Sequence, residues 1–191
     1  YFYAIMLCEQ GDLQQAQQVL NEVKKERPRW TRQFDLILLA DSKGPARAYK
    51  TYQNPRISKS SDMLFLFPAL LFLGRGNEAR ADLRALRRTD KREKPTIFAQ
   101  TREFEAVLAY LCGDASEAEF LNSTSDSRMA ACMAEWLIGM VHLANGDRAK
   151  AKEHFQKSIA HYPFYEYNLS RVMLARLKQD PHWPPWIRAK K

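Results

Sequence analysis

The sequence has little of what catalytic and metal-dependent proteins commonly use. It has three cysteines in 191 residues, Cys8, Cys112 and Cys132. None is part of a CxxC, so neither the spacing of a zinc ribbon nor that of a redox dithiol is present. An odd count with apolar flanks points to reduced, buried thiols, and a cytoplasmic location is expected from it. Histidines number four, at 142, 154, 161 and 182. His154 and His161 are two helical turns apart, too far for joint chelation. His142 is expected to be a hydrogen-bonded structural side chain. No metal and no cofactor is therefore expected. A phosphate-binding glycine loop is missing too, because Gly74-Arg75-Gly76 lacks a third glycine and a preceding strand. There is no nucleophile elbow, and the carboxylates lie among Lys and Arg as solvated ion pairs. No catalytic residue is expected. No apolar run reaches the roughly 18–20 residues of a membrane span. The longest, Met63 to Leu73, has 11 residues and contains Pro68. The chain carries no signal peptide and opens on Tyr1 inside a periodic segment, so it is expected to be a piece of a longer polypeptide.

What is present in quantity is apolar and aromatic surface, 46% and 12% of residues, which sets the chain apart from disordered segments. The net charge of +8 is a moderate basic bias that allows an acidic partner, a nucleic acid or an anionic surface and selects none of them. Five of the seven glycines lie at 11, 44, 76, 113 and 146, a spacing of 32 to 37 residues. Four of these are followed by Asp or Asn and then by an alanine-bearing stretch, and Gly44 is followed by Pro45, which the first helical turn tolerates. A glycine that closes one helix, an acidic or amide cap that opens the next, and alanines that let the two approach make a helix pair of about 34 residues.

These residues carry a family resemblance. Ile138-Gly139, Gly146-Asp147, Ala151, Phe155, Ser158 and Pro163 follow the order of a tetratricopeptide repeat, and Tyr3-Ala4, Leu7, Gly11-Asp12, Ala16, Leu20 and Pro28 nearly do. The chain resembles an all-α tetratricopeptide superhelix of about five helix pairs. The repeats are expected at 1–28, 30–54, 61–90, 98–123 and 130–162, with a capping helix over 164–179 and an extended tail over 180–191 packed on the last pair. Pro68 is expected to interrupt its helix. The second helix of the fourth repeat is expected to be short, and extra residues are expected around Thr89 to Thr96. The closing segment, with Tyr165-Glu166-Tyr167 and Asp180-Pro181-His182-Trp183-Pro184-Pro185-Trp186, resembles the tetratricopeptide tails of some bacterial serine/threonine kinases. None of the kinase motifs themselves is present.

The resemblance implies a protein-interaction scaffold that binds a peptide or helix in a concave groove lined by first helices. Aligning on the glycines places Phe34, Leu38, Met63, Leu66, Glu103, Tyr110, Met133, Trp136 and Met140 there. Superhelical packing that buries these side chains is the competing reading. The Lys and Asn of a chaperone carboxylate clamp are missing. A partner could be another protein or a domain of the same parent chain. The alternative function is a basic module for nucleic acid or another polyanion, built on Arg80, Arg84, Arg87, Arg88 and Lys91. That reading is not favoured, because no interleaved aromatics and no per-repeat polar code accompany the stripe.

Overall fold

In a computed structural model, residues 2–22, 31–52, 60–90, 102–161 and 165–190 are described. Among them are eleven helices and no strand, which is the all-α helical-repeat architecture expected. The helices pair as α1 (Phe2–Gln10) with α2 (Leu13–Glu22), α3 (Thr31–Lys43) with α4 (Pro45–Tyr52), and α5 (Ser60–Phe72) with α6 (Gly76–Asp90). Then come α7 (Arg102–Cys112) with α8 (Glu117–Thr124), α9 (Arg128–Ala144) with α10 (Arg148–Ile159), and the single α11 (Tyr165–Gln179).

The turns follow from local chemistry. Gly146 has φ +77°, its N–H bonds Leu143 O at 2.9 Å, and the next N–H, Asp147, bonds His142 O at 2.9 Å. This bond pair closes the helix on a left-handed residue that glycine adopts without steric cost. The pattern recurs after α1, α5 and α7. After α3 only one bond forms, Gly44 N–H to Ala40 O at 2.9 Å, because Pro45 has no N–H for the second. The third rung of the ladder is Gly74 (φ +74°) rather than Gly76, which instead opens α6. The true steps are therefore 33, 30, 39 and 33. Asp12 and Asp147 cap α2 and α10 as expected, by accepting from Gln15 N–H and Lys150 N–H. In the fourth pair the cap is Ser116, which forms a reciprocal box with Glu119.

Two expectations about helix continuity are corrected or met. Pro68 does not interrupt α5, which runs through it. The proline removes one backbone bond, and Leu66 to Leu73 around it are buried, so packing holds the segment. The second helix of the fourth pair is short, at 8 residues. Thr89 lies at the end of α6, and most of the stretch to Thr96 falls outside the described residues.

The order of packing is not that of an open spiral. α3 packs on α5, but α5 packs directly on α9, and α7 meets α6 and α8 at the side. α11 packs on α9 and α10 and also on α1, so the last helix touches the first and the array closes. Arg171 of α11 bonds Glu9 of α1 at 2.7 Å, and Arg176 of α11 bonds Asp41 of α3 at 2.7 Å. One continuous core runs from Ala4 to Trp183.

Candidate interaction surface

The residues after α11 form a strap across the helix ends, and this decides what surface remains. They are not extended along the last pair, as expected, but turn, with Trp183 N–H bonding Asp180 O and Ile187 N–H bonding Pro184 O. The strap reaches back to the second and third pairs. The Trp183 indole N–H donates to Asp41 Oδ1 at 2.8 Å, and that of Trp186 donates to Phe72 O at 2.7 Å. Both indoles pack on the Phe72 ring with centroids 5.2 Å apart. Arg148, in the first turn of α10, holds the strap from below. Its guanidinium donates to the carbonyls of Trp183, His182 and Ile187 at 2.7–2.9 Å and to that of Pro184 at 3.2 Å. A cation is the appropriate donor here, because these turn carbonyls have no helix to pair with.

Five of the nine first-helix residues expected to line a groove lie in the closed core. Phe34, Leu38, Leu66, Trp136 and Met140 are buried. In this conformation they offer no surface to a partner. Tyr110 and Met133 are half-buried against the same core, with the Tyr110 ring stacked on Phe120 at 4.7 Å. Burial, with the charge of Glu117 second, raises the Tyr110 hydroxyl pKa above the usual tyrosine range. Glu103 is partly exposed on α7. The side chain of Met63 lies outside the described residues.

The basic stripe is also partly committed to the fold. Arg80 Nε donates to Leu111 O at 3.2 Å, and Arg84 donates to Cys112 O, so both guanidinium groups satisfy carbonyls at the C-terminus of α7. Arg88 is exposed. The side chain of Arg87 and the whole of Lys91 lie outside the described residues. The three cysteines are buried and form no disulfide. Burial, followed by the nearby Asp41 charge, pushes the Cys8 pKa up to about 12, so this thiol is a poor nucleophile.

Among the described residues, three of the four most exposed large apolar side chains lie at the seam of α1 and α11, and the fourth is Met129 at the start of α9. Phe2, Tyr3 and Met6 are 68%, 54% and 54% exposed on the outer face of α1. They border a concavity of about 300 Å³ walled by Ile5 and Glu9 on one side and by Tyr167, Asn168 and Arg171 on the other. Glu9 Oε2 bonds Arg171, but Glu9 Oε1 is buried without a hydrogen-bond partner. Burial raises the Glu9 pKa, and the Arg171 charge opposes this only in part. Sequence reasoning missed this seam, because it depends on the first helix meeting the last, which no local pattern encodes.

Among the described residues no helix is long and apolar enough to cross a membrane. No curated protein matches the chain. Residues 133–164, which hold most of α9 and all of α10, match the tetratricopeptide repeat family.

Proposed function

We propose that the chain is a protein-interaction module whose contact surface is the α1–α11 seam. The occupant that fits is a peptide segment with an apolar side chain beside a Lys, Arg or N–H donor. The observation that carries this reading is the pairing of three exposed apolar side chains with one orphaned acceptor. Phe2, Tyr3 and Met6 supply area for a hydrophobic anchor, and Glu9 Oε1 lacks the donor that a buried carboxylate oxygen requires. The tetratricopeptide match supports a protein partner in general terms. The first-helix set around Phe34, Leu38, Leu66, Trp136 and Met140 is buried and is not part of this surface. The resemblance of the closing segment to kinase tails supports a docking role inside a larger regulatory protein. The engagement of Arg80 and Arg84 with α7 leaves the polyanion alternative with less of its stripe.

Selection of displayed peptides on the full chain tests the reading. The expected consensus is an apolar residue next to Lys or Arg, with binding lost in Met6→Ser and the basic preference weakened in Glu9→Gln. Peptides that bind both variants as well as the parent chain would sink the proposal.

A further inference from the structure

Three ligating side chains from three different helices converge away from this seam. Glu117 stands in the first turn of α8, His142 in the last turn of α9 and His154 in the middle of α10. Their donor atoms all lie within 4.8 Å of one another. His142 Nε2 is 3.0 Å from Glu117 Oε2, and His154 Nε2 is 3.2 Å from Glu117 Oε1. The two imidazoles lie nearly parallel, at 9°, with centroids 5.4 Å apart.

We propose that Glu117, His142 and His154 form a binding site for a divalent cation of the zinc class, with Glu135 as the residue that orients His154. Four observations carry this. The first is convergence: donor atoms from three side chains all lie within 4.8 Å of one another, the two histidine nitrogens 3.0 and 3.2 Å from different oxygens of Glu117, and drawing in to bonds of about 2.0–2.1 Å takes a side-chain adjustment. The second is the partner behind the ligand. His154 Nδ1 faces Glu135 Oε2 at 2.6 Å, and His154 and Glu135 are only 5% and 8% exposed. A carboxylate bonded to the far nitrogen of a metal-binding histidine fixes the tautomer and aims the other nitrogen at the ion. The third is proton arithmetic. Both nitrogens of His154 face carboxylate oxygens, so without a cation the ring needs two protons to bond both. A metal ion at Nε2 replaces one of them. The fourth is charge: two carboxylates meet two imidazoles, and the neighbouring Lys157 is already tied to Glu153 at 2.7 Å.

The donor set selects the ion. Two imidazoles and one carboxylate do not suit calcium or magnesium, which take oxygens, nor cuprous copper, which prefers sulfur. They suit Zn²⁺, with Co²⁺ as a spectroscopic substitute. The Glu117 side chain is 38% exposed and that of His142 16%, so the site opens to solvent on one side, where a water completes the coordination. Binding there would fasten the displaced α7–α8 pair onto the α9–α10 hairpin.

The test is a titration of the metal-stripped full chain with Zn²⁺ followed by calorimetry, and with Co²⁺ followed by visible absorption and histidine-ring NMR. One ion per chain is expected, with the visible bands of four-coordinate cobalt. The ring resonances of His142 and His154 should shift while those of His161 and His182 stay in place. His142→Gln and Glu117→Gln should abolish the four-coordinate spectrum, and Glu135→Gln should weaken binding about 10–100-fold at unchanged stoichiometry. The NMR arm reads the parent chain itself, so an unfolded variant does not blunt the test. If no ion is taken up, or if the shifted rings are His161 or His182, the proposal fails.

Discussion

The fourth and fifth helix pairs close their first helices in the same way and pack differently. Gly113 and Gly146 have φ +80° and +77°, and each is followed by an aspartate whose N–H closes the helix in the same way. Seven residues before the turn, however, the fifth pair has Gly139 and the fourth has Ala106. Eight residues after the cap of the second helix, Asp147 in the fifth pair and Ser116 in the fourth, stand Phe155 and Thr124. A Cβ on Gly139 would lie 2.5 Å from the Phe155 ring, so the aromatic ring sits directly on the helix backbone. The fifth pair thereby packs tightly along two long helices. The fourth has no such seat, its second helix is short, and α5 reaches past α7 to pack on α9. The turn is a local property, and the helix crossing depends on one small residue opposite one large one.

The largest effect should come from emptying that seat. Phe155→Ala is expected to cost about 3–5 kcal/mol, against about 1 kcal/mol for Thr124→Ala in the fourth pair, measured by urea denaturation. Comparable losses at both positions would break the comparison. Next come the two turn glycines. Gly146→Ala forces a side chain into a left-handed conformation and onto the backbone of Arg188 in the strap, with an expected loss of about 3 kcal/mol. Gly113→Ala meets only the Arg84 side chain at 3.9 Å, so about 1–2 kcal/mol is expected. Equal losses would mean that the strap is not seated on the fifth turn.

Arg148→Ala should cost about 2 kcal/mol and expose the amides of residues 183–190 to hydrogen exchange before the rest of the chain. Uniform exchange would count against a strap held by that guanidinium. The smallest effect belongs to the fourth pair. Ser116→Ala removes the cap of α8 and should cost about 1 kcal/mol. The Glu119 pKa is held below the usual range by its bonds to Ser116. A depressed native pKa means that the unfolded chain binds the proton more readily, so this contribution is present above the unfolded pKa and is lost as pH falls through the native one. The Ser116 backbone N–H, the larger cause, survives in Ser116→Ala and only the hydroxyl bond is lost, so stability of the variant should vary slightly less with pH in the acidic range than that of the parent chain.

Much of this was legible in order along the chain. The glycine spacing, the Asp caps and the alanines announce helix pairs, because turns and caps are made by neighbours within five residues. Even there the third rung was misplaced, since Gly74 and Gly76 differ only in which of them the backbone bonds require at positive φ. The tryptophans of the tail were recognisable as packing residues, but Asp41 and Phe72, which receive them, were not. The Glu117–His142–His154 cluster was invisible for the same reason: its members come from three helices, and His142 and His154 meet only because the α9–α10 hairpin folds back on itself.

By itself, then, the sequence determined the helices, four of the five turns and the repeat count, since these rest on hydrogen bonds and steric limits between residues close in the chain. Only the tertiary structure decided that the array closes on itself, that its first-helix faces become core, and that the exposed apolar seam lies between α1 and α11. Those outcomes depend on contacts such as Glu9 with Arg171 and Asp41 with Arg176, between residues more than 130 positions apart, which no local periodicity records.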